Sequence, residues 1–99
     1  MATFTMLPAS QGPVAPGDSA TLTLAADDAF KDSVTLVGSV STPGNLFTIS
    51  PASVYLCPND VKQVTVLVQS MITETDKIII QATAASSSEV EIATVDIKQ

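Results

Sequence analysis

The side chains of this sequence that could do chemistry are almost all carboxylates. Ten Asp and Glu stand against four Lys, with no Arg and no His, for a formal net charge of −6. Without histidine no Ser-His or Cys-His nucleophile can be assembled. Cys57 has only Asp60 and Lys62 near it in sequence and reads as a small apolar residue at a strand end. Asp27, Asp28 and Asp32, with Asp18, could offer oxygen ligands to Ca²⁺ from a loop, but their spacing fits no EF-hand. The expectation there is a solvated acidic loop and no metal. Glu74 with Asp76, and Glu89 with Glu91, are carboxylate pairs that extended backbone would place on one face. A glycosidase needs a cleft and aromatic walls as well, and the aromatics are only Phe4, Phe30, Phe47 and Tyr55. The expectation is a chain that is not an enzyme and holds no cofactor.

The charge balance also limits partners. Nucleic acid and anionic lipid both require clustered positive charge, which is missing, and without Trp there is little to stack on bases. No stretch approaches the roughly 20 apolar residues that span a bilayer, so membrane insertion is not expected. The first residues lack the basic and apolar regions of a secretory leader. With a single Cys57 no internal disulfide is possible, which fits a reducing compartment. The expected location is the cytoplasm.

At 99 residues, 1–99 is expected to be one domain. The stretch 47–69, FTISPASVYLCPNDVKQVTVLVQ, organises it: a strand, a kink at Pro51, a second short strand, a Pro-Asn-Asp turn and a long alternating strand. In the last of these Val64, Val66 and Val68 share one face and Thr65, Leu67 and Gln69 the other, so the valine row needs a second sheet to cover it. Residues 3–7 alternate weakly, as an edge strand closed by Pro8. Residues 11–18, QGPVAPGD, carry too many turn formers for a ladder and are expected to be irregular. In 19–25, SATLTLA, Ala20, Leu22 and Leu24 alternate with threonines. Residues 33–40, SVTLVGSV, place Val34, Leu36 and Val40 on one face and Val37 on the other, and Gly38 marks a bulge or a close backbone approach.

Residues 76–84, DKIIIQATA, put Ile78, Ile80, Ala82 and Ala84 inward and Ile79 outward. The last strand, 89–98, changes the parity of its apolar positions, which predicts a bulge near Ala93 and Thr94 with Val90 and Ile92 on the core face. Nothing repeats with a helical period. The fold expected is all-β, a seven-stranded immunoglobulin-like β-sandwich held by aliphatic packing, with the chain crossing between sheets near Pro51. Lys62, Lys77 and Lys98 are expected to guard strand edges. Val37, Leu67 and Ile79, outward-facing aliphatics, are the candidate contact residues if their strands are neighbours.

The stretch LVGSVSTPGNLFTISPASVYLCPNDVKQVTVLVQ followed by TDKIIIQA resembles the major sperm protein (MSP) domain, shared by nematode sperm proteins and VAMP-associated proteins. The matching pieces are Ser41-Thr42-Pro43, the short strand from Phe47 to Pro51, the turn from Cys57 to Asp60, the Val64 to Val68 alternation, and Asp76 to Gln81. The resemblance implies a PapD-like immunoglobulin sandwich acting as a structural or interaction protein. Its partners would be further copies of itself, as dimer or polymer, or a cytoskeletal filament protein. VAMP-associated proteins carry lysines where this chain has Val37, Gly38 and Ser39, so binding of acidic peptides is not implied. Ala25, Ala26 and Asp27 stand where the family often shows Asn. The layout SPASVYLCPNDVKQVTV also resembles immunoglobulin-like spacer modules of bacterial surface proteins and glycosidases, for which an extracellular location would follow.

Overall fold

The computed structural model describes residues 3–99, all in strands, turns and short connections. The strands are β1 (Phe4–Leu7), β2 (Ser10–Val14), β3 (Ser19–Ala26), β4 (Asp32–Val40), β5 (Leu46–Ser50), β6 (Ser53–Leu56), β7 (Val61–Ser70), β8 (Thr75–Ala84) and β9 (Val90–Lys98). They form a four-stranded sheet in the order β1-β3-β7-β5 against a five-stranded sheet in the order β2-β9-β8-β4-β6. Among the described residues no helix is long and apolar enough to cross a membrane.

The two-layer immunoglobulin-like architecture agrees with the expectation from sequence, but the strands number nine rather than seven. Proline explains part of the difference. β1 gives way to β2 at Pro8 and β5 gives way to β6 at Pro51, and at each break the chain crosses from the four-stranded to the five-stranded sheet. A proline cannot donate to a ladder, so pairing on one sheet ends there and resumes on the other.

Two expectations are corrected. Residues 11–18 are not wholly irregular: β2 runs parallel to β9, with Ser10 opposite Thr94, Gln11 opposite Val95 and Val14 opposite Ile97. The register slips between Gln11 and Val14, where Gly12 and Pro13 sit. Gly12 has φ of 120°, and a Cβ there would collide with the Asp96 carbonyl, so the slip needs glycine. The second correction concerns β9. It pairs with β8 from Thr75↔Lys98 to Thr83↔Val90 without interruption. There is no bulge, so Ala93, Val95 and Ile97 face the core while Val90 and Ile92 point outward, 39% and 58% exposed.

Elsewhere a period of two gives the core. Ala20, Leu22 and Leu24 from β3, Val64, Val66 and Val68 from β7, Val34 and Leu36 from β4, and Ile78, Ile80, Ala82 and Ala84 from β8 are buried between the layers. Each fully covered valine of β7 contributes about 1.5–3 kcal/mol relative to remaining in water. Gly38 is a close approach: a Cβ there would lie 2.5 Å from Phe47 Cε2 and 3.0 Å from Ile49 Cδ1, so the missing side chain lets β5 close over β4. At the turn into β7, Asn59 takes the left-handed conformation with φ of 64°, and Asp60 holds the turn by donating its amide to Cys57 O at 3.0 Å and accepting the Cys57 amide at 2.9 Å.

Candidate interaction surface

The carboxylates are spent on backbone. Asp76, at the start of β8, accepts the amides of Lys77 at 2.7 Å, Thr42 at 3.0 Å and Ser41 at 3.3 Å, and the Asn45 Nδ2 at 2.8 Å. The Lys77 amide, followed by those of Thr42, the Asn45 side chain and Ser41, holds its carboxyl at about 2, below the ordinary 3.8. Asn45 itself is buried, 3% exposed, and fully used: its Nδ2 also donates to Thr73 Oγ1 at 2.8 Å and its Oδ1 accepts the Ile72 amide at 2.8 Å. This cluster ties the 41–45 turn to the connection between β7 and β8. Glu74 lies before β8, so it does not share a strand face with Asp76.

Of the acidic loop, Asp27 accepts the amides of Ala29 and Thr3, and Asp32 those of Ser86 and Ser33. The Ala29 amide and the Ser86 amide are the main reasons that these two carboxyls lie below their ordinary value. Asp27 and Asp32 thus face different connections, and among the described residues no group of three or more acidic, Cys or His side chains converges as a metal site would require. Glu89 precedes β9 and accepts Thr3 Oγ1 and the Phe4 amide, capping the outer side of β1. Lys62, Lys77 and Lys98 lie on β7, β8 and β9, interior strands, not on the edges expected for them.

The candidate contact residues do not form one surface. Val37 on β4 and Ile79 on β8 share the outer face of the five-stranded sheet, 63% and 47% exposed, whereas Leu67 on β7, 38% exposed, lies on the opposite side of the molecule. Alternation shows that each points outward but not to which sheet its strand belongs. The face that holds Val37 and Ile79 is larger than the sequence indicated. In register, Ile92, Gln81 and Val37 make one cross-strand row, Thr94, Ile79 and Ser39 the next, and Val90, Thr83 and Thr35 the row on the other side. None of these nine is charged and four are aliphatic. Lys77 opposite Asp96 bounds the patch at one end. The missed members, Val90 and Ile92, had a signal: the parity change in the last strand marks apolar side chains on both faces.

The sequence matches no protein-family profile and no curated protein. Solved structures do share its architecture. A chain of the chaperone–tip adhesin complex of CFA/I fimbriae biogenesis superposes with a TM-score of 0.79 at 13% identity, over 96% of this chain and 55% of that one. This chain therefore spans about half the length of the fimbrial one. The ASH/PapD-like domain 7 of human CEP192 gives 0.63 at 12% identity, over 97% and 84% of the two chains. WR4, an MSP family member of C. elegans, gives 0.58 at 12% identity, over 99% and 98%. Likeness at such identities carries the fold alone: this chain has the immunoglobulin-like sandwich architecture that MSP and PapD-like domains also have.

Proposed function

We propose that this protein is a non-catalytic interaction module that associates with copies of itself, in the manner of a filament-forming or filament-associated protein of the cytoplasm, through the outer face of its five-stranded sheet. The observation that carries the reading is the uncharged field built on Val37, Ile79, Ile92 and Val90. The outer face of a sheet that meets only water alternates polar residues with the buried row. Here Val37 and Ile92 flank Gln81 in a single row, and their exposure leaves apolar area that a partner would remove from water. A chain of net charge −6 approaches its own copy most easily where it bears no charge.

Sedimentation of the pure protein over a range of concentrations tests the reading. Association is expected to weaken when Ile79→Lys or Val37→Lys places a charge in the field, with thermal unfolding unchanged because both side chains are exposed. Co-pelleting with a filament protein would support the cytoskeletal role. A strict monomer at every concentration would instead favour the spacer-module reading.

A further inference from the structure

We infer that the free edge of β5 is a second self-association site, at which two copies pair antiparallel about Thr48. The four edge strands differ in how open they are. The outer side of β1 is capped where Phe4 donates its amide to Glu89. β2 is interrupted by Pro13 and the register slip beside it. β6 is four residues long and stands between Pro51 and Pro58. β5 ends at Pro51 and its register with β7 shifts between Leu46 and Phe47, but from Phe47 to Ser50 its pairing is regular and uncapped, and the outer side of its ladder pairs with nothing among the described residues.

Edges left open usually carry a charge that deters pairing. Here there is none on β5, and no charged residue occurs anywhere between Asp32 and Asp60, so β4, β5 and β6 make one neutral flank beyond Asp32 in an acidic molecule.

The sequence LFTIS is complementary to itself. Val68 gives its amide to Asp18 O and its carbonyl to the Gly17 amide, on the β3 side, so Leu67 turns its own groups toward β5, where it faces Thr48. Thr48 is thereby spent on β7, and Phe47 and Ile49 direct their amides and carbonyls outward, because successive residues alternate. An antiparallel copy centred on Thr48 sets Phe47 against the other chain's Ile49, and Ile49 against its Phe47. These are the positions with free groups, so both pairs exchange hydrogen bonds while Thr48 meets Thr48 as the close, non-bonded pair. Phe47 and Ile49 are the half-buried inner-row residues packed against the core. Pairing joins these two rows and covers the flank of each, and aromatic with β-branched pairs and Thr with Thr are favourable cross-strand neighbours. The occupant is a second copy because LFTIS matches itself in free backbone groups, in faces and in neutrality.

The test places charge at the two-fold axis. Thr48 is exposed, so Thr48→Lys and Thr48→Glu leave the fold intact, and each alone is expected to abolish edge dimerisation by setting like charges opposite one another. An equimolar mixture of the two is expected to restore it as a mixed dimer seen by native mass spectrometry. In the wild type, exchange of the Phe47 and Ile49 amides should slow as protein concentration rises. Ile79→Lys should leave this step unchanged, which separates it from the outer-face contact. A wild-type monomer at all concentrations, association unaffected by Thr48→Lys, or a mixture that stays monomeric would overturn the inference.

Discussion

A single buried amide, Asn45, joins the two connections at one end of the sandwich. Its donors reach Thr73 and Asp76 and its acceptor takes the Ile72 amide, so Asn45→Ala would leave the part-buried Ile72 amide and Thr73 hydroxyl without this partner, remove a partner from Asp76, and open a hole where a buried side chain stood. The expected loss is about 2–3 kcal/mol, read as a lower denaturation midpoint. Asp76 adds a pH dependence of definite sign. Its folded carboxyl sits at about 2 against an ordinary 3.8, so the unfolded chain takes up the proton first on acidification. The stabilisation is whole above the unfolded value and is lost as pH falls from there through about 2. Denaturant midpoints followed over that window should fall more steeply for the wild type than for Asp76→Asn, and parallel slopes would remove Asp76 from the account. The role of Asp76 was not legible in sequence, where it stood beside Glu74 as half of a carboxylate pair. Its true partners, Thr42 and Ser41, lie more than thirty positions away.

At the scale of strands, what could be read was whatever depends on a period of two. Val64, Val66 and Val68, and Ile78 and Ile80, fall inward as alternation requires. The sheet change at Pro51 follows from the lost donor. Three things escaped. β2 hid behind Gly12 and Pro13 because its parallel pairing is an interrupted one that tolerates turn formers. The outward turn of Val90 and Ile92 could not be told from a bulge, since hydropathy alone does not separate a core row from a contact row. Leu67 was grouped with Val37 and Ile79 because sheet membership is set by topology. Gly38, in contrast, does mark a close approach, although what approaches is the side chains of Phe47 and Ile49 and not another backbone. Gly38→Ala should therefore push Phe47 off β4 and lower stability by about 1–3 kcal/mol, the usual range for overpacking. Gly38→Val should cost more, as thermal unfolding would show, and an unchanged midpoint for both would mean that β5 is not held against β4 through this contact.

For the whole molecule the deciding quantity is where the charge is not. Net charge of −6 makes two copies repel at long range, while the two surfaces argued for association, the outer field of the five-stranded sheet and the β5 edge, are both uncharged. Salt then has a definite effect. Screening shortens the reach of repulsion from about 30 Å at 0.01 M to about 8 Å at 0.15 M, while apolar contact and strand pairing gain or keep their strength. Association of the wild type should therefore strengthen as sodium chloride is raised over that range. It should strengthen again as pH is lowered from neutrality toward the sequence isoelectric point of about 4.1, while Asp76 still remains ionised. An interface made by Lys77, Lys98 and the surrounding carboxylates would respond in the opposite direction, because salt weakens attraction between exposed charges. Sedimentation velocity at the two salt concentrations separates these cases: weaker association at high salt would place the contact on the charged end of β8 and β9 and away from both neutral surfaces.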